Sequence, residues 1–147
     1  MQNNKSVIHQ KLLNMKNFLL FNISFLLMIS CGCTGEQTSS QKTSLSPAEF
    51  SEKINQMPTA SIIDVRTPEE FSVGHLINAN NIDWNGNDFD AQISKFDKSK
   101  PVFVYCQAGS RSAAAAKKMR SDGFVEVYEL AGGFSKWRTA KLPEATN

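Results

Sequence analysis

This 147-residue chain is poor in the residues that build disulfide scaffolds and metal sites, with three cysteines and two histidines. Cys31 and Cys33 lie close together near the front, so Cys106 is the only thiol well inside the chain. One inner cysteine cannot form an internal disulfide framework, even in an oxidising compartment. Cys106, His75 and His9 are not spaced to hold a metal, so neither a metal nor another cofactor is expected. No internal repeat is visible, which sets aside stacked-repeat architectures. No apolar run reaches the roughly 20 residues a membrane-spanning helix needs. Charge blocks are missing too. The formal net charge is +2, but Lys5, Lys11 and Lys16 are the only charges before Cys31. Without those three, 13 Lys+Arg stand against 14 Asp+Glu, a net of −1. No basic block remains to suggest a nucleic-acid partner; Lys117, Lys118 and Arg120 read as the solvated face of a helix.

The front of the chain differs from the rest. Residues 18–29 are apolar except for Asn22 and Ser24, with Lys16 as a basic flank. That matches the apolar region of a secretory signal, and no 3.6-residue alternation marks it as an amphipathic helix. Met15 is a second candidate start, because "MKNFLLFNISFLLMISC" is a complete signal by itself. "LLMISC" resembles the lipobox of bacterial lipoproteins, in which a cysteine after a small residue is acylated and becomes the new N-terminus. Ser30 and Cys31 fit, while Met28 stands where leucine is usual; ordinary cleavage near Cys31 or Cys33 is the alternative. Acylation of Cys31 with more than one chain would anchor the protein stably to a membrane. "TGEQTSSQKTS" is polar and without apolar periodicity, as a flexible tether is. The expected division is therefore a signal over 1–30, a tether with its lipid-anchor cysteine over 31–44, and one domain over 45–147. The domain would be exported to the cell envelope or periplasm and held there by lipid.

Within the domain, strands and helices alternate. "SPAEF" carries a capping box, with Ser46 as cap, Pro47 leading and Glu49 three residues after the cap. That helix is expected to run to about Gln56, before Pro58. "ASIIDV" (60–65) is a short buried strand. "TPEEF" repeats the start signal with Thr67, Pro68 and Glu70, and its helix stops at Gly74. "NNIDW" (80–84) reads as a weak strand and "DFDAQISKF" (88–96) as a helix with Phe89, Ile93 and Phe96 on one side. "PVFVY" (101–105) is the clearest strand. Residues 110–121 form a helix ended by Gly123 at the left-handed cap position. "VEVYEL" (125–130) is the last strand and "GFSKWRTA" (133–140) a closing helix. This alternation predicts an α/β fold, a mainly parallel sheet covered on both faces. In such sheets ligands bind beyond the carboxyl ends of the strands, where Cys106 falls.

Between Cys106 and Arg111 lie Gln107, Ala108, Gly109 and Ser110, none bulky and none acidic. A loop curling around the sulfur can aim consecutive backbone N–H groups at it, with Gly109 taking the positive φ the curl demands. The N-terminus of the following helix faces the same point. These groups favour thiolate over thiol, as does the guanidinium of Arg111. Cysteine is also commonly buried for packing alone. Gly109 and Arg111 at these offsets, directly before a helix, favour the nucleophile.

The segment from Cys106 to Ser112 resembles the C-x-x-G-x-R-S loop of rhodaneses, sulfurtransferases that carry sulfur as a cysteine persulfide. "IIDVRTPEEFSVGHLINANNI" (62–82) is similar to that family's D-V-R-x-P-x-E-[FY]-x-x-G-H-I-x-G-A-x-N-[IL] signature. "LAGGFSKWRTAKLP" (130–143) is similar to its closing L-x-G-G-[ILF]-x-x-W-x-x-x-G-[LY]-P. Asn78 and Lys141 replace usual glycines; asparagine tolerates the left-handed region better than most residues. Ser110 stands where many thiosulfate-using relatives carry a basic residue. The resemblance implies a three-layer α/β/α fold with a central, mainly parallel sheet. It also implies double displacement through Cys106, with a small sulfur donor and a thiol or cyanide acceptor as partners and a monomeric chain. Gln107, Ala108, Gly109, Ser110 and Ser112 would hold the persulfide, and Arg111 would support the loop and its field. Asp64 and Arg66 would pair with charges near the loop, in an ion pair or a chemical role. Glu70 is readable as the capping partner of Thr67, His75 as fixing a turn and Trp137 as core. Rhodanese-fold phosphatases and arsenate reductases have loops one residue longer than the six residues from Cys106 to Arg111. A non-catalytic binding module or a persulfide carrier for a partner also shares the fold.

Overall fold

The computed structural model describes residues 42–146. The signal segment and Cys31, with most of the expected tether, lie outside the described residues. The chain runs β1 (Ser44–Leu45), α1 (Pro47–Gln56), β2 (Ser61–Asp64), α2 (Pro68–Ser72), β3 (His75–Leu76) and β4 (Ala79–Asn81). It continues α3 (Phe89–Ile93), β5 (Val102–Tyr105), α4 (Ser110–Ser121), β6 (Val127–Leu130), α5 (Gly133–Thr139) and β7 (Glu144–Ala145). No helix among the described residues is long and apolar enough to cross a membrane.

The five-stranded sheet has the order β1-β6-β5-β2-β4, and every pairing in it is parallel. Side chains alternate across the pleat, so successive residues of one strand feed two different cores. Ile63, Val102, Val104 and Val127 face one way, against Phe89 and Ile93 of α3 and Ala115, Ala116 and Met119 of α4. Ile62, Phe103, Tyr105 and Tyr128 face the other way, against Phe50 of α1 and Phe134 and Trp137 of α5. This is the expected α/β/α sandwich, and it explains the unbroken apolar run of "VFVY": a strand covered on both faces has no polar side.

Both capping boxes form as the sequence predicts. Ser46 accepts from the N–H of Glu49 and Thr67 from that of Glu70, and each glutamate side chain returns a bond to its cap's N–H. Three features depart from the expectation. The edge strand β1 takes Ser44 out of the tether: Ser44 and Leu45 pair with Glu129 and Leu130, and Thr43 O accepts from Glu129 N at 2.7 Å. The strand expected at 80–84 is assigned to Ala79–Asn81, although Ile82 N and Trp84 N still bond to Asp64 O and Val65 O. A small antiparallel ribbon of β3 and β7 joins segments about seventy positions apart, too short in each strand to carry a local pattern.

Asn78 has φ +63 and Lys141 φ +54. Each is a non-glycine residue in the left-handed region, at the positions where the sequence lacks an expected glycine.

Candidate active site

The site begins with strand parity. Cys106 continues the alternation of Val102 and Val104, so its side chain points to the face that carries α4. The loop after it delivers the first turn of that helix onto the sulfur. Cys106 Sγ accepts the N–H of Gly109 at 3.1 Å and the hydroxyl of Ser112 at 3.5 Å. Gly109 makes the curl possible with φ +108, a conformation L side chains rarely adopt. Cys106 is only 1% exposed. Ala108 and Ser110 form the exposed outer rim of the loop.

Burial by itself would push the Cys106 thiol up. It is outweighed by the Ser112 hydroxyl and by the backbone N–H groups of Ser112, Gly109 and Ala108, which leave the thiol below its ordinary value. The loop therefore stabilises a sulfur anion through dipoles rather than through a contact with a formal charge.

Arg111 makes no hydrogen bond to the sulfur, although it feels the Cys106 charge. Its two terminal nitrogens donate to the two carboxylate oxygens of Glu70, at 2.6 and 2.8 Å. Glu70 is thus more than a cap. The Arg111 fork holds its carboxyl at about 2, against the opposing effect of burial, and the Thr67 N–H lowers it further. The same carboxylate closes the N-terminus of α2 and ties it to the first turn of α4, clasping the two sides of the loop. Sequence reasoning found only the capping half, because the 41-residue separation between Glu70 and Arg111 leaves no local signal.

Asp64 and Arg66 form the buried pair that sequence reasoning left open. Arg66 Nε donates to both Asp64 oxygens at 3.0 Å, and Nη2 donates to Asp64 Oδ2 and to Gly74 O, both at 2.6 Å. Nη1 donates to Gln107 Oε1 at 3.2 Å. The guanidinium also lies over the Phe134 ring, 4.3 Å from its centroid. Its role here is positioning, since Gln107 is the second loop residue and its Nε2 donates onward to Ser135 Oγ at 2.9 Å. Removing either partner of so deeply buried a pair would leave an uncompensated charge. His75 is far from basic catalysis: its Nδ1 meets Phe71 O at 3.0 Å and its ring stacks on Phe71 at 3.8 Å, fixing the turn. Trp137 is core, donating Nε1–H to Pro143 O.

The loop is held from outside by an element whose part in the site was not legible. The Gly132-Gly133 turn opens α5 with φ +75 and φ +59. It brings Phe134 N to Cys106 O at 2.8 Å and Ser135 N to Gln107 O at 3.1 Å. With those carbonyls turned outward and satisfied, the following N–H groups are free to turn inward. A Cβ on Gly133 would stand 2.3 Å from Cys106 O, so only glycine permits this approach. Among the described residues no group of three or more His, Cys, Asp or Glu side chains could hold a metal.

Comparison with known proteins agrees with this geometry. The Bacillus subtilis protein YqhL is 42% identical over 78 residues, which cover 53% of this chain and 60% of that protein, less than two thirds of its length. Thiosulfate sulfurtransferase GlpE from Ectopseudomonas mendocina is 38% identical over 88 residues, 59% of this chain and 77% of that enzyme. The crystal structure of a rhodanese-related protein from Thermoplasma volcanium superposes with a TM-score of 0.63 at 26% identity, covering 71% of this chain and 98% of that one. The family model described as the rhodanese-like domain matches residues 46–140, from the capping serine of α1 to the end of α5, and the chain belongs to that family.

Proposed function

We propose that this chain is a sulfurtransferase that moves sulfane sulfur through a persulfide on Cys106. The observation that carries the reading is the sulfur itself, seated against the Gly109 N–H and the Ser112 hydroxyl and held below the ordinary thiol range. The thiolate attacks the outer sulfur of a thiosulfate-like donor. A bond forms between Sγ and that sulfur, the sulfur–sulfur bond of the donor breaks with its electron pair, and sulfite leaves. The persulfide anion on Cys106 keeps the single negative charge the thiolate had, so the same N–H groups serve both states. Cyanide or a thiolate acceptor then attacks the outer sulfur, giving thiocyanate or a new persulfide, and the Cys106 thiolate is restored. This is covalent catalysis with two half-reactions. No proton transfer is needed at the sulfur, which agrees with His75 being engaged elsewhere.

Mass spectrometry after thiosulfate treatment should show one added sulfur on Cys106, and Cys106→Ser should abolish thiocyanate formation. Hydrolysis of an aryl phosphate without any sulfur transfer would refute the reading in favour of a phosphatase. From the residues around Cys31 we further infer export and lipid anchoring, with the monomeric domain meeting its donor and thiol acceptor at a membrane surface. Palmitate labelling that persists in Cys31→Ala would overturn that part.

A further inference from the structure

A small sulfur donor brings negative charge as well as sulfur, and each guanidinium near the loop is already paired with a carboxylate. Arg111 has both terminal nitrogens on Glu70 and feels Asp83 as well. Arg66 is 1% exposed and engaged with Asp64, Gly74 and Gln107. Ser110, on the loop's outer rim, is uncharged.

Lys136 is placed differently. It is exposed, and no hydrogen bond or ion pair among the described residues engages its ammonium. Its stem lies across Gly132: a Cβ built there would meet Lys136 Cγ at 2.3 Å, Cβ at 3.2 Å and Cδ at 3.6 Å. Helical side chains lean toward the N-terminus of their helix, and in α5 that lean carries the lysine back over the turn that holds the loop. Gly132 in turn abuts the loop, with its N 3.7 Å from a Cβ built on Gly109, whose N–H donates to Sγ. The missing side chain at Gly132 thus leaves room for a lysine stem over the turn that abuts the Cys106 loop.

We propose that Lys136 is the specificity-determining residue that receives the anionic end of the sulfur donor. The donor class is a small dianion of the thiosulfate type, with its sulfonate on Nζ and its outer sulfur toward Cys106. The assignment rests on the reading of Cys106 as a sulfur carrier. It supplies from α5 the positive charge that Ser110 does not supply from the loop.

The test is single-turnover loading of Cys106 without an acceptor, using thiosulfate and methanethiosulfonate, which carries one negative charge instead of two. Lys136→Ala should raise the half-saturating thiosulfate concentration about fivefold, the upper range for an exposed ion pair. The rise should be smaller for methanethiosulfonate, and the maximal loading rate should not change. Lys136→Arg should restore thiosulfate saturation, and Lys117→Ala, on the exposed side of α4, should leave it untouched. High salt should shrink the difference between wild type and Lys136→Ala. Equal saturation of wild type and Lys136→Ala by both donors would overturn the assignment while leaving sulfur transfer intact. So would a lower maximal rate at unchanged half-saturation. A wild type that loads no sulfur from either donor would refute the sulfurtransferase reading, and this assignment with it.

Discussion

Gly133→Ala tests how the loop is held. A Cβ there would lie 2.3 Å from Cys106 O and 2.7 Å from both the carbonyl carbon and oxygen of Gln107. Carbon and its neighbours pack best at about 3.5 Å or more, so the loop backbone must retreat by roughly 1 Å. That retreat weakens the bonds from Phe134 N and Ser135 N to these two carbonyls, each worth about 1 kcal/mol net. Holding alanine at φ +59 adds about 1–2 kcal/mol. The total is roughly 3–4 kcal/mol of lost stability. A displacement of about 1 Å at a reacting group can also lower the rate about a hundredfold. Gly123→Ala separates strain from collision, because Gly123 has φ +97 and nothing within 4 Å of a built Cβ. It should lose about 1–2 kcal/mol and keep full sulfur loading. Urea unfolding and single-turnover loading of Cys106 measure the two effects. If Gly133→Ala matches Gly123→Ala in both, the α5 turn does not hold the loop and the reasoning fails.

Loading should rise with pH through the lowered value of Cys106 and level off, because the thiolate is the attacking form. Ser112→Ala removes one of its stabilising donors and should move this acid limb to higher pH; an unmoved limb in the pH profile of alkylation would refute the role of the hydroxyl. The same shift links to folding. With the native value below the unfolded one, stability rises as pH climbs through the native value and is full above the ordinary thiol range, and Ser112→Ala should flatten that rise. For Glu70, with its carboxyl at about 2, the contribution is full above the ordinary carboxylate range and is lost as pH falls toward that value. Glu70→Gln should therefore cost about 1 kcal/mol near neutrality and converge with wild type in acid, and equal differences in urea titrations at both ends would contradict the clasp. Lys141→Gly relieves a left-handed, exposed lysine at φ +54 and should raise the thermal midpoint by an amount equivalent to about 1 kcal/mol; a lower midpoint would be the refuting result.

The parts of the site that were legible are those written within a few consecutive residues. Cys106, Gly109, Arg111 and Ser112 span one loop and one helical turn, and the backbone geometry there follows from local rules: a strand, a positive φ at glycine, a helix start. Both capping boxes follow from four-residue patterns in the same way. Asp64 and Arg66 were legible as charges engaged near the loop, but it was not legible that they pair with each other or that Arg66 reaches Gln107 across 41 positions. The ties that escaped notice are long-range: Glu70 to Arg111, the α5 turn to the Cys106 and Gln107 carbonyls, and Ser44 on β6.

The amino-acid sequence by itself determined the order of the helices and of β2, β4, β5 and β6, the position of the nucleophile at a strand's carboxyl end and the small-residue loop after it. Those features depend on side-chain periodicity and backbone preference, which act between near neighbours. Only the tertiary structure decided that Arg111 is held by the Glu70 carboxylate. It also decided that two glycines at the start of the last helix hold the loop's carbonyls from outside. Those arrangements depend on which surfaces a parallel sheet brings together, and segments far apart in the chain carry no local record of meeting.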